Sequence, residues 1–298
     1  VSGALVLGSF ERTSNLPRYG EKRFRRLYPA YFVVVLLPAL VSLILAGPDA
    51  LRSIGAYLAA NLVFLNFLAP DLPGLFAGHR FEEVNGALWT LKIEVMFYLV
   101  LPILGLIMRG LKSAWWLLLV ALYVGGEIWR LQLAVILTAF DVPPVVSTYA
   151  PELARQLPGQ MAFFASGMML WRLWPAVKVR WMLCGLTGAG LLTLSLLVPM
   201  FEPLRAAGLA LVIACAAFAP GPKLNAARYG DISYGLYITH FPIMQGAIMT
   251  GLIASLGLAA GFAAVLILVI ASSFVLWWAI EKPALRRDSH YRQVALGS

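Results

Sequence analysis

Residues 85–102 read NGALWTLKIEVMFYLVLP. The run is apolar and long enough to enter a bilayer as a helix, yet it carries Lys92 and Glu94. A charge at the centre of a span costs a few kcal/mol or more unless it finds a partner or water. With the helix starting near Leu88, Glu94 lies roughly 9 Å deep at 1.5 Å per residue. Thr90, Glu94 and Tyr98 are spaced i, i+4, i+8 and share one face, while Lys92 points elsewhere and snorkels outward along its aliphatic stem. A simple anchor needs no carboxylate. Glu94 therefore either pairs with a cation or hydroxyl to lock helix packing, or faces a wet cavity on a substrate path, as ionisable groups inside spans usually do.

The whole chain has the same character. Of 298 residues 61% are hydrophobic and only 12% charged, and the mean hydropathy is +0.82. Apolar runs near 20 residues recur along its length, which predicts an all-α, polytopic transmembrane bundle. No segment alternates as a barrel strand would. The net charge of +9 is assigned to short loops that set orientation, and not to a nucleic-acid partner. Cys184 and Cys215 lie in apolar runs and read as packing residues.

Residues 10–27, FERTSNLPRYGEKRFRRL, form the most basic stretch and are placed as a cytoplasmic loop. From there eight full spans are predicted, at 28–46, 88–108, 114–137, 161–174, 181–198, 204–219, 232–254 and 258–280. Residues 1–9 read as the inner end of a further span whose beginning is missing. Basic loops holding Arg109 and Lys112, Lys178 and Arg180, Lys223 and Arg228, and Lys282, Arg286 and Arg287 then all fall inside. This parity holds only if 54–69, with Asn61 and Asn66 and followed by Pro70 and Gly74, is re-entrant or interfacial. Residues 1–281 are taken as the membrane domain and 282–298 as a cytoplasmic tail. Trp115, Trp116, Trp171, Trp174, Trp181, Trp277 and Trp278 fall near span ends, as interfacial belts do. Glu127 and Arg130 stand three apart near the outer surface.

Other polar constellations accompany Glu94. In DISYGLYITHFP (231–242), Ser233, Tyr237 and His240 share a face, with His240 ~12 Å from the inner surface. It is either hydrogen-bonded to a neighbouring helix or a proton-transfer or substrate-orienting group. Counted from opposite sides of a ~30 Å core, Glu94 and His240 come to similar depths and are expected to line one chamber. Arg23 and Arg26, three apart, either serve orientation alone or grip phosphate through their guanidinium forks. His79, in DLPGLFAGHRFEEVNG (71–86), is a solvated loop residue or a contact for an acceptor sugar. His290, in the tail, is assigned no role. No three ligands stand at metal spacing, and neither a Walker loop nor GxSxG is present.

Taken together, these stretches resemble the acyltransferase 3 family of membrane O-acyltransferases. RFRRLYP supplies an Arg-x-x-Arg ending in proline, with Arg23, Arg26 and Pro29. NGALWTLKIE then FYLVLP supplies Asn85, Trp89, Glu94, Phe97, Tyr98 and Pro102. SYGLYITHFP supplies the late Tyr and His motif, and Glu281 and Pro283 supply a closing Glu-x-Pro. The opening SGALVLGS resembles the end of the family's second span. The resemblance implies ten spans and transfer of an acyl group, usually acetyl, from cytoplasmic acyl-CoA to a carbohydrate or glycolipid at the outer side, with no tightly bound cofactor. By the same resemblance Glu94, Tyr98, Tyr237 and His240 are catalytic candidates, Arg23 and Arg26 donor-binding, and Asn85 and Trp89 acceptor-binding; His79 joins the acceptor-binding set by its place in the polar outer loop. The family's proposed catalytic His belongs to a first span that these residues do not include. Thr90 stands for the usual Ser, and Val95 where a second acidic residue is common. The rival readings are a proton-coupled transporter of a glycolipid or acyl group, although no internal repeat supports it, and an inactive fragment.

Overall fold

Each predicted span coincides with a helix in the computed structural model, which describes residues 1–13, 15–140, 142–221 and 230–285. The principal helices are α1 (Ser2–Glu11), α2 (Leu16–Ala46), α3 (Leu51–Asn61), α4 (Leu88–Gly110), α5 (Trp115–Ala139), α6 (Leu157–Arg172), α7 (Trp181–Leu197), α8 (Arg205–Phe218), α9 (Ser233–Met249) and α10 (Leu258–Leu276). No strand occurs among the described residues. Among the described residues, five helical segments are long and apolar enough to cross a membrane by length and composition: Leu16–Ala46, Leu88–Gly110, Lys112–Ala139, Pro199–Phe218 and Leu258–Ala284. The basic positions Lys223, Arg228, Arg286 and Arg287, and His290, lie outside the described residues.

The chain divides into two compact units, one of Val1–Leu16 with Ile93–Pro222, the other of Pro17–Lys92 with Lys223–Ser298. In the first, small residues let helices approach closely, the device that membrane helices favour. A side chain at Gly3 would collide with the Phe164 carbonyl of α6, and one at Gly126 of α5 with the α6 backbone at Ala162. Gly188 and Gly208 do the same for α7 against α8. Phe97 of α4 is fully buried and stacks on Phe164 at 3.9 Å between centroids. Arg130 bridges Glu127, 2.6 Å away on α5, and Glu202, 2.8 Å away, which also holds Arg205 at 3.3 Å. Cys184 and Cys215 are free thiols, and Cys184 packs against Leu170, Val177 and Ala214.

In the second unit the basic stretch is not a loop. Residues 16–27 are the first turns of α2, which runs unbroken through Pro29 and Pro38. Lys, Arg and Glu are good helix formers, and Glu21 with Arg25 makes an i, i+4 ion pair at 2.8 Å.

The segment 54–69 turns back on itself. α3 spans 11 residues, only ~16 Å, and runs antiparallel to α2. At its end, the Tyr31 hydroxyl donates to the Asn61 carbonyl (2.6 Å) and the Tyr28 hydroxyl to that of Leu62 (3.3 Å). The chain then reverses at Phe64, φ +64, and climbs until Pro73 accepts from Ser42 at 2.6 Å. Ser42 and Tyr31 are ~16 Å apart along α2, so the segment descends and returns on the same side. Non-helical backbone at such depth needs internal partners. Asn61 Nδ2 donates to the Tyr57 and Ala69 carbonyls, and Asn66 Nδ2 donates to Asn61 Oδ1 and the Tyr31 hydroxyl.

α9 is shorter than the predicted 232–254. It stops at Met249 because Gly251 takes φ +70, and a separate short helix, Leu252–Leu256, precedes Gly257 at φ +78. α10 passes into a π-helical turn, Trp277–Glu281. Within it Trp277 is fully buried, so it is not an interfacial anchor. Its indole presses on Gly230, where φ is +116 and a side chain would clash.

Candidate active site

Several of the stretches singled out in the sequence meet in the second unit. Arg26 of α2 points one terminal nitrogen at Glu281 (2.7 Å) and the other at Asp231 (2.6 Å). Its guanidinium lies 5.8 Å from the Tyr234 ring and 6.0 Å from that of Trp277. Asp231 also accepts from the Ser233 hydroxyl at 2.6 Å, at the start of α9. Both forks of Arg26 are thus held by carboxylates, an employment different from the phosphate contact expected of it. Arg23, one turn earlier, is half-buried.

The loop ahead of α4 is fastened to α9. Asn85 is buried; its Nδ2 donates to the Ile238 carbonyl (2.8 Å) and its Oδ1 accepts from the Ala87 amide (3.2 Å). Its amide is therefore a fastening and not an open contact for an acceptor. The Tyr237 hydroxyl donates to the Ala87 carbonyl at 2.6 Å and is hydrogen-bonded to the Thr90 hydroxyl. Trp89 is exposed. Lys92 lies with its ammonium 4.8 Å from the Phe67 ring centre, consistent with a side chain turned away from the Thr90 face.

His240 follows Tyr237 by one turn and is exposed. Its Nδ1 faces the carbonyls of Tyr237 (2.7 Å) and Leu236 (3.2 Å). Carbonyls only accept, so Nδ1 carries the proton and Nε2 presents a lone pair. His79 lines the same cavity as His240, a space of about 930 Å³ within this unit.

Glu94 belongs to the other unit and is described in its own surroundings. Its Oε1 accepts from the Tyr98 hydroxyl at 2.6 Å and stands 3.5 Å from the Ser2 hydroxyl. The carboxylate is half-buried, with a hydroxyl as neighbour and no salt bridge to a basic side chain among the described residues.

A family model described as an acyltransferase domain matches residues 1–280. The chain belongs to the acyltransferase 3 family. It is also similar to nodulation protein 10 of Rhizobium leguminosarum bv. viciae, 28% identical over 305 aligned residues, covering 96% of this chain and 80% of that protein. No solved structure matches. The protein is thus an integral membrane acyltransferase.

Two residues of this candidate site carry no role in the sequence reading. Asp231 was quoted only as the first residue of a motif, and its pairing with an arginine 205 positions away leaves no periodic trace. Gln245 went unnoticed. It is buried, donates to the Phe81 carbonyl and accepts from His79. The available signal was a lone amide inside an apolar span, five residues after His240.

Proposed function

We propose that this acyltransferase moves an acyl group, acetyl being the expected one, from cytoplasmic acyl-CoA to a hydroxyl of a cell-surface or lipid-linked carbohydrate at the bacterial inner membrane. The observation that carries this reading is His240. Its Nδ1 is fixed on the backbone of its own helix, its Nε2 is open, and the motif segments hold it one turn from Tyr237.

A sugar hydroxyl is a poor nucleophile at neutral pH and needs a base. His240 Nε2 takes the hydroxyl proton as the oxygen attacks the thioester carbonyl. The carbon–sulfur bond then breaks, CoA leaves as thiolate, and the proton returns to its sulfur, giving an ester and free CoA. Tyr237 and Thr90 hold the α9–α4 contact that fixes the histidine's height. Glu94 with Tyr98, a polar pair within the first unit, is a further candidate on the family resemblance, since a carboxylate can orient a reacting group. Arg23 and Arg26 serve the CoA phosphates. Arg26 does so only by releasing Asp231 or Glu281. Trp89 and His79 meet the acceptor, and Asn85 positions the loop that carries them.

The test is transfer of label from radiolabelled acetyl-CoA to membrane carbohydrate by the purified protein in lipid vesicles. Ester-linked label with release of free CoA is the expected result. Movement of an intact glycolipid or acyl group across the vesicle without CoA release points to the transporter instead.

A further inference from the structure

The cavity that His79 and His240 share is lined by the loop residues His79, Arg80 and Phe81, by His240 and Phe241 of α9, and by Phe262 of α10. We infer that it is a subsite for one neutral sugar residue of the acceptor, and that His79 is a positioning residue that selects which hydroxyl faces His240. This rests on the acyl-transfer reading above.

The hydrogen-bond directions define the ligand. Gln245 Nε2 donates to the Phe81 carbonyl, which fixes its amide so that Oε1 faces His79 Nδ1 at 3.1 Å. An amide oxygen only accepts, so the proton of His79 sits on Nδ1. The same holds for His240, whose Nδ1 faces two carbonyls. Both rings therefore offer Nε2 lone pairs, and neither Nε2 has a partner among the described residues. Two acceptors in an otherwise largely apolar space call for a ligand bearing hydroxyl donors, and a carboxylate or phosphate oxygen set against either imidazole would meet only a lone pair. Phe81 and Phe241, 6.4 Å apart and tilted by 59°, add faces for the apolar C–H side of a sugar ring.

Gln245, which holds His79, lies five residues beyond His240 on one helix, a rise of ~7.5 Å. The two imidazoles line one cavity from different segments, the loop and α9, so each can meet a different hydroxyl of one sugar ring. Arg80 stands at the same cavity with its guanidinium 5.4 Å from the Phe81 ring, where its N–H groups can donate to ring or hydroxyl oxygens.

Two measurements test this on the full chain in detergent. The first uses diethyl pyrocarbonate, which acylates unprotonated imidazole nitrogen, with the modified peptides read by mass spectrometry. His79 and His240 should both react, and one or more of a panel of neutral methyl pyranosides should slow both together by about fivefold or more. N-acetylneuraminic acid should slow neither. Protection of one histidine without the other, protection by the acid alone, or no protection by any pyranoside overturns the subsite. No acyl-CoA is present, so this result is read even if acyl transfer fails. The second compares His79→Ala and His79→Gln on a carbohydrate acceptor that the wild type acylates. For His79→Ala we expect a rise of about tenfold in acceptor KM, an unchanged acetyl-CoA KM, and a spread of the ester over several hydroxyls. His79→Gln, which keeps an acceptor atom, should recover part of the regioselectivity. An unchanged acceptor KM with a single ester position in His79→Ala overturns the role of His79.

Discussion

Arg26 and Glu281 form a 2.7 Å salt bridge across 255 positions of sequence, and the carboxylate is 1% exposed. Asp231 completes the clamp, so α2, the start of α9 and the π-helical turn meet on one guanidinium.

Removing one member of a buried ion cluster leaves the others uncompensated, at a cost of about 3–5 kcal/mol. Arg26→Met is therefore expected to lower the thermal midpoint in detergent by many degrees, and Arg26→Lys to recover little, since an ammonium lacks the planar fork. Replacing Arg26 and Glu281 together with apolar residues should restore part of the loss. A midpoint unchanged in Arg26→Met would show that the cluster contributes nothing to stability.

His240 offers a cleaner separation of folding from chemistry. Its ring is exposed and bonded only to carbonyls of its own helix. His240→Ala should leave expression and thermal midpoint near wild type while kcat falls by about 10²–10⁴-fold, the usual range for loss of a general base. A rate within twofold of wild type removes His240 from the mechanism.

Glu94 is tested through its hydroxyl partner. Glu94→Ala is expected to abolish O-acylation in expressed protein. Tyr98→Phe deletes the 2.6 Å hydrogen bond while keeping the ring, and should cost about 1.5–3 kcal/mol at most if that bond only steadies the carboxylate. Full activity in Glu94→Ala would confine Glu94 to helix packing.

The returning path of residues 54–73 predicts a labelling pattern. Asp49 precedes α3 and Asp71 lies near the top of the return. Asp49→Cys and Asp71→Cys, in a chain whose native cysteines are replaced by serine, should react with an impermeant maleimide from the same side of oriented vesicles. Reaction from opposite sides would make the segment a crossing.

The fold was legible in the sequence wherever apolar length and helix-breaking residues decide it. The helix positions followed from hydropathy, and the doubling back of 54–69 followed from its shortness, its two asparagines and the parity of the basic loops. Where two rules compete the sequence reading failed. Positive charge marked 10–27 as a loop, but the same lysines and arginines are strong helix formers and continue α2 to Leu16. Apolarity carried α9 past Gly251, whose left-handed backbone ends it. Candidate site residues could be picked out in the sequence, because polar groups inside apolar runs stand out. Their partners could not. Whether Arg26 meets a carboxylate or a phosphate, and whether His79 faces water or Gln245, depends on contacts between distant segments that no local pattern records.

The π-helical turn at Trp277–Glu281 has a consequence for how this segment tolerates change. It holds an extra residue relative to an α-helix, and that residue sets the angle at which the Glu281 carboxylate leaves the axis. Deleting Val275 from the regular helix ahead of it would swing everything beyond through ~100° and carry Glu281 off Arg26 with every other side chain intact, whereas deleting Ala279 would remove only the residue that the wide turn absorbs. Ahead of the turn the number of residues is under as tight a constraint as their identity, and a one-codon deletion there should do more damage than most substitutions.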